Sequence, residues 1–333
     1  MLCSEKQNTT AIWAITPKAV KLAQKLAQKL PLSDIFLSKS LKKSLSQMFH
    51  QYQAHIFIMS TGIVVRMTAP YLKHKTIDPA VVVLDELGLH AISLISGHLG
   101  GANDLAKKVG QITGATPVIT TATDLNNIPA IDMTAKKKNL FIENPSAIKH
   151  ISMALLTGQK IWVHDPFDFI KKDMETFVNS CSIQETPGIY VDDILSDLPS
   201  KTLILRPKSL IIGIGCNRNT DAEEIQSLLF KTLDKYRLSP NSIKTIASVD
   251  IKNNEPGLIL LAKKMNLPLS FFDRQTLNKV ENIKTPSKIV KKHIGVQSVC
   301  EAAAILASNN GKLIVPKHKT KNVTVAAARI NFT

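Results

Sequence analysis

What this 333-residue sequence lacks narrows its reading quickly. Its four cysteines, Cys3, Cys181, Cys216 and Cys300, are scattered with no C-x-x-C pair, so neither a zinc ribbon nor a disulfide framework is expected and the thiols read as reduced. No segment approaches the ~18 uncharged apolar residues of a membrane span, and the apolar run AIWAI at residues 11–15 is too short for a secretory leader. A cytoplasmic location is the expectation. There is no P-loop, no G-x-S-x-G elbow and no metal triad at suitable spacing. Aromatics make up only 5% of the chain and do not interleave with basic residues, which counts against a nucleic-acid module. The stretch GIGCNR has Gly213 and Gly215 but no third glycine, leaving the dinucleotide fingerprint incomplete.

Arginine is scarce as well. Only Arg66, Arg206, Arg218, Arg237, Arg274 and Arg329 stand among the 42 basic residues. Where a lysine-rich chain still sets Arg beside glycines and polar turn residues, a planar fork matched to carboxylate or phosphate is expected, and Arg66 and Arg218 fit that description. Against 26 acidic residues the formal charge is +16, which suits a nucleic acid, a membrane surface or a polyanionic small molecule. Much of the lysine falls in runs such as AKKKN and IKKD that read as solvated surface.

What is present is an α/β rhythm. The run AIWAI is followed by Leu22, Leu26 and Leu30 at helical spacing, then by a helix carrying Leu41, Leu45 and Met48, then by the strand HIFIM. AVVVLDELGLHAISLI breaks the rhythm, because its two apolar runs are joined by a turn too short for a crossover helix, so it reads as a hairpin. That hairpin carries Asp78 to the same sheet edge as Gly97 and His98, with Asp85 and Glu86 as turn residues at the other. The α/β rhythm restarts at SLIIGIG. The expected architecture is therefore α/β, with two Rossmann-like domains, the first having a β-hairpin interrupting a mostly parallel sheet, joined by a small middle domain. The boundaries expected are 1–135, 136–206 and 207–333.

Ligands of open α/β sheets collect beyond the carboxyl ends of strands, and four features are expected to meet there: Ser60 with Thr61 and Gly62, Asp78 with Lys75, the SGHLGGAND loop, and Thr120 to Asp124. Gly100 and Gly101 open a helix and offer N–H groups to an anion. His98 is the natural general acid or base, with Asp78 or Asp124 to hold its tautomer. The bland reading is a turn that needs glycine and a structural histidine, with Asp124 and the threonines serving only as caps. Thr220 with Glu223 and Ser298 with Glu301 match capping boxes. His318 is expected at the surface or on substrate rather than on a metal.

Residues 61–124, from TGIVVRMTAP through IDPAVVVLDELG to ITTATD, resemble the core of the cobalt-precorrin-5A hydrolase family of anaerobic cobalamin biosynthesis, and IIGIGCNRNT, EPGLILLAKKMNLPLSFF, GVQSVCEAAAIL and VPKHKTKNVTVAAAR resemble its C-terminal part. The resemblance omits the middle of the chain, and Asn219 and His318 stand where glycine and glutamine are usual. It implies a hydrolase that opens the ring-A δ-lactone of cobalt-precorrin-5A, breaks a carbon–carbon bond and releases the C20 two-carbon unit as acetaldehyde, giving cobalt-precorrin-5B. The substrate is then a polycarboxylate that carries its own cobalt, with no protein-bound cofactor or metal, no nucleic acid and no membrane. A homodimer and neighbouring pathway enzymes are open partner expectations. The sites implied are His98, Asp78 and Asp124 for catalysis, and Thr61, Gly62, Arg66, Lys75, Gly97, Gly100, Gly101, Asn103, Thr120, Thr121, Gly215 and Arg218 for substrate. The competing reading is a corrinoid-binding protein of the same pathway without catalysis.

Overall fold

The computed structural model describes residues 10–37, 41–74, 77–98, 100–178, 187–281, 283–286 and 295–332. The chain divides into two compact units, Met1–Met133 and Thr134–Thr333.

In the first unit the strands are β1 (Thr10–Ala14), β2 (Ser33–Phe36), β3 (Ala54–Ile58), β4 (Ala80–Leu84), β5 (His90–Ile95) and β6 (Thr116–Val118). They form one sheet in the order β2-β1-β3-β4-β5-β6, parallel at every pairing except β4 with β5. The helices α1 (Pro17–Lys29), α2 (Leu41–Met48), α3 (Thr61–Thr68), α4 (Ala102–Thr113) and α5 (Ala122–Leu125) complete it. Both sheet faces are covered, which is why β4 reads as an unbroken apolar run. Ile12, Ile56, Val82 and Leu84 pack against α1 and α4, while Trp13, Phe57, Val81 and Val83 pack against α2 and α3. Helix α1 starts where Pro17 can begin a helix and the Thr16 hydroxyl accepts the Ala19 N–H. The edge strand β2, SDIF, is short and polar enough to have escaped the apolar-run criterion.

The hairpin is held by Asp85, whose carboxylate accepts the N–H groups of Leu87, Leu89 and His90. Burial pushes that carboxyl up, but the three donors outweigh it and hold it below the ordinary aspartate value.

The second unit carries two sheets. One contains β7 (Leu140–Ile142), β8 (Trp162–His164), β9 (Gly188–Val191) and β10 (Thr202–Pro207) in the order β7-β10-β9-β8, with only β7 antiparallel. The other contains β11 (Leu210–Cys216), β12 (Ile243–Val249), β13 (Leu269–Phe272), β14 (Lys312–Lys319) and β15 (Val323–Arg329) in the order β13-β12-β11-β15-β14, where β15 runs against both neighbours. Helices Ala222–Lys235 and Pro256–Lys264 cover one face of this sheet and Cys300–Ala307 the other.

Two of the rare arginines are used internally, Arg206 within the first of these sheets and Arg329 between the two. Arg206, 1% exposed, binds Glu143 and the carbonyls of Asp192 and Ile194, and Arg329 makes a two-pronged contact with buried Asp193 at 2.8 and 2.6 Å. The fork geometry of arginine is thus spent on internal carboxylates. Among the described residues no helix is long and apolar enough to cross a membrane.

Candidate active site

The turn after β5 is constrained residue by residue. Ser96 is left-handed at φ 57°, which costs a side-chain-bearing residue roughly 1–2 kcal/mol, and its hydroxyl donates to the Asp78 carbonyl at 3.0 Å. A Cβ on Gly97 would stand 2.8 Å from Asn103 Oδ1, and one on Gly100 would stand 2.3 Å from the Ser96 Cβ. Gly101 is left-handed at φ 87°. The glycines therefore answer to backbone geometry, and the same fold-back brings His98 to a partner.

His98 Nε2 lies 2.7 Å from Asp124 Oδ2 and 3.1 Å from Thr123 Oγ1. A carboxylate only accepts, so Nε2 carries the proton and Nδ1 presents its lone pair. Among the described residues Nδ1 has no hydrogen-bond partner. Asp124 is itself held in place. Asn103, buried at the start of α4, donates its amide to Asp124 Oδ2 at 2.9 Å and to Thr121 Oγ1 at 2.8 Å, and accepts the Ser93 hydroxyl at 2.6 Å. Only the NH2 end of an amide can face a carboxylate, which assigns the orientation of Asn103. Lys107 Nζ stands 3.8 Å from the other Asp124 oxygen. The imidazole and the carboxylate are 23% and 25% exposed. A small molecule can reach the ring while Asn103 behind it stays buried.

The reversal of β5 decides which expected residues share this rim. The carboxyl ends of β5 and β6 emerge where β1, β3 and β4 begin, so Asp78, Gly97, His98, Gly100, Gly101, Asn103, Thr120, Thr121 and Asp124 gather there. Thr61 and Gly62 do not. They follow β3 and open α3 at the opposite rim, level with the hairpin turn, and exposed Arg66 reaches back toward them, its Nη2 3.8 Å from the place of a Gly62 Cβ. The expectation that Thr61, Gly62 and Arg66 join the His98 site is thereby corrected. Carboxyl ends share one rim only in a fully parallel sheet, and here a reversed strand divides them between two.

Asp78 has the right rim but another task. Both its oxygens accept the Lys73 N–H, at 2.9 and 3.1 Å, so it closes the turn before β4 and does not orient the imidazole. Lys75 lies outside the described residues. The N–H groups of Gly101, Ala102 and Asn103 donate to the carbonyls of His98, Ser96 and Gly97, so these three are not available to an anion as expected. Thr120 is exposed beyond β6. Thr123 belongs to the expected stretch Thr120 to Asp124, whereas Ser93 and Lys107 were missed in the sequence. A serine inside the apolar strand HAISLI was the signal for the first.

In the second unit, Gly215 lines a cavity of about 540 Å³, and Arg218 lies on the exposed turn beyond it. Asn219 adopts φ 57°, a conformation that glycine takes freely and asparagine tolerates, so its departure from glycine preserves the turn. The box expected at Thr220 and Glu223 does not form, because Thr220 donates to the Asn217 carbonyl and the helix begins after Asp221. Ser298 does accept the Glu301 N–H. Glu301, however, is fully buried and binds the N–H groups of Lys284, Thr285 and Lys317. Burial pushes its carboxyl up, but those donors and the Thr285 hydroxyl hold it below the ordinary value. His318 meets the Tyr236 hydroxyl at 3.1 Å. Among the described residues no three His, Cys, Asp or Glu side chains are grouped to hold a metal ion.

Three family models match successive parts of the chain: Cobalamin synthesis G N-terminal over residues 43–124, Cobalamin biosynthesis central region over 129–207 and Cobalamin synthesis G C-terminus over 210–328. The second accounts for the stretch in which the sequence alone offered no resemblance. The chain is 36% identical to cobalt-precorrin-5A hydrolase of Salmonella typhimurium, across 96% of this chain and 97% of that protein. It is 32% identical to the enzyme of the same name from Priestia megaterium, across 97% and 95%, and 30% identical to a probable cobalt-precorrin-5A hydrolase of Methanocaldococcus jannaschii, across 83% and 85%. Agreement of this extent, through all three matched regions, makes the chain an enzyme of the cobalt-precorrin-5A hydrolase family.

Proposed function

We propose that the enzyme hydrolyses the ring-A δ-lactone of cobalt-precorrin-5A and releases the two-carbon unit at C20 as acetaldehyde, with His98 as the general base. The observation that carries the assignment of His98 is its pairing with Asp124, which Asn103 holds from behind. With Nε2–H directed at the carboxylate, Nδ1 takes a proton from water as the oxygen attacks the lactone carbonyl, and Asp124 stabilises the imidazolium that forms. The acyl C–O bond breaks, leaving a ring-A carboxylate and a hydroxyl on the two-carbon unit. Loss of that hydroxyl proton then forms the aldehyde as the bond to C20 breaks and its electron pair passes to the macrocycle. The cobalt in this reading travels with the substrate, and no protein-bound cofactor takes part.

The N–H groups spent inside the turn have no part in stabilising the oxyanion. Lys107, 3.8 Å from Asp124, supplies a positive charge beside the site. The test is anaerobic incubation of the purified protein with cobalt-precorrin-5A, trapping acetaldehyde as a hydrazone. The expected result is one acetaldehyde per corrinoid converted and loss of nearly all of it in His98→Ala. Conversion without acetaldehyde, or a His98→Ala variant of normal rate, overturns the reading.

A further inference from the structure

The cavity beside Gly215 lies beyond the carboxyl ends of β11 and β12, where β15 runs the other way and the helix Cys300–Ala307 begins. That is the position at which open α/β sheets take ligands, and nothing in the proposed chemistry uses it. Its lining contains four lysines, Lys252, Lys317, Lys319 and Lys321, and no aspartate or glutamate.

The charges can be accounted for one at a time. Buried Lys252 is neutralised by Glu255 at 2.8 Å, and the Lys317 ammonium donates to the Thr285 carbonyl at 2.6 Å. Lys319 and Lys321 are exposed and have no partner among the described residues. Nearby carboxylates are turned to other work. Glu224 accepts from Thr320 and Asn322, and Glu301 holds main-chain N–H groups behind the wall. Burial pushes the Cys216 thiol up to about 11, so no thiolate offsets the lysines. Val249, Val299 and Val323 supply apolar wall. An apolar wall beneath a cationic lip matches a flat ring with carboxylates on its periphery. At about 540 Å³ the cavity takes one edge of a macrocycle.

We infer that this cavity is a second binding site of the enzyme, which holds the carboxylate-bearing edge of a corrinoid through Lys319 and Lys321. The inference rests on the reading of a corrinoid polycarboxylate as substrate, but its test needs no turnover, so failure here and failure of acetaldehyde release are separate results.

The test is lysine footprinting of the full chain with an amine-acetylating reagent, read by mass spectrometry, in the presence of cobyrinic acid, its heptamethyl ester, or inorganic phosphate. Cobyrinic acid is expected to slow acetylation of Lys319 and Lys321 at least about fivefold, as saturation of a specific site does, while exposed Lys18 and Lys25 of α1 react as before. The ester and phosphate are expected to protect neither. Removing two charge-assisted contacts in K319A/K321A should weaken cobyrinic acid binding about tenfold or more. Absence of protection, equal protection by the ester, protection by phosphate alone, or unchanged affinity of the double variant overturns the inference.

Discussion

The two units each contain a histidine–aspartate pair at closely similar distances, and they are built differently. In the first, His98 on the loop past β5 and Asp124 on α5, past the adjacent parallel strand β6, stand 2.7 Å apart. In the second, His164 is the last residue of β8 and Asp192 directly follows β9, 2.9 Å apart. The strand-borne ring stacks on Tyr190 at 4.6 Å and 9°, its carboxylate also accepts the Ile194 N–H, and the Asp192 carbonyl is gripped by Arg206. The loop-borne ring instead has a carboxylate positioned by a buried amide and a turn of left-handed and glycine residues around it. Equal pair distances thus serve different ends. Seated in a sheet, the pair is a structural tie. Set beyond the rim with strained backbone beside it, the pair has the form that functional sites take.

The largest expected effect breaks the comparison directly. His98→Ala should lower turnover by about 10²–10⁴, the range that general acid–base groups supply, while His164→Ala should leave turnover within about twofold and lower the unfolding temperature instead. Acetaldehyde release and thermal unfolding measured on both variants decide it. Equal loss of turnover in the two would erase the distinction between the pairs.

A third histidine sharpens the contrast, because it has no carboxylate at all. His55 is fully buried, accepts the Trp13 Nε1–H and hydrogen-bonds to the Phe49 carbonyl. Burial lowers its pKa from 6.5 to about 4, with the Phe49 carbonyl opposing and His50 adding to the shift. In the unfolded chain this ring takes a proton as pH falls below about 6.5, whereas the folded ring stays neutral down to about 4, so the stability it contributes is complete above the first value and lost progressively toward the second. The loss amounts to roughly 3 kcal/mol. Urea unfolding followed by Trp13 fluorescence in a Trp162→Phe background should show it between pH 7 and 5, and His55→Gln should flatten the slope. A slope unchanged in that variant would assign the acid sensitivity elsewhere.

Gly97→Ala tests how finely the first pair is set. The new methyl meets Asn103 Oδ1 at 2.8 Å, so the amide that positions Asp124 must move by some tenths of an ångström. Misplacing a supporting group costs rate more than affinity, and kcat is expected to fall about tenfold with KM within about twofold. A change confined to KM would show that the turn binds substrate without aligning the base.

Much of the first fold was legible because periodicity and turn length act locally. A hairpin was required by the few residues between AVVVL and HAISLI, and its reversal placed Asp78 on the rim of His98. The same reversal removes Thr61, Gly62 and Arg66 from that rim, because the rule that carboxyl ends share an edge holds only for a fully parallel sheet. The Asn103 network was out of reach for another reason. It joins Ser93, Asn103, Thr121 and Asp124 across three elements, and such coupling leaves no periodic trace. Glu301 looked like a helix cap because its spacing from Ser298 is local, whereas its partners at residues 284, 285 and 317 are distant in sequence.

The smallest expected effect concerns Lys107, a half-exposed cation beside the first pair. Its side chain is 51% exposed and its ammonium lies 3.8 Å from Asp124 Oδ1, and ion pairs of that kind contribute between nothing and about 1 kcal/mol. Lys107→Ala should therefore lower kcat/KM by less than about fivefold in dilute buffer, and raising salt to about 0.5 M should shrink the difference by screening it. If Lys107 instead touches the developing oxyanion inside a closed, water-excluding complex, screening does not reach it and the loss grows to about a hundredfold at any ionic strength. The salt dependence of this one variant thus separates a charge that tunes Asp124 from one that acts on the substrate.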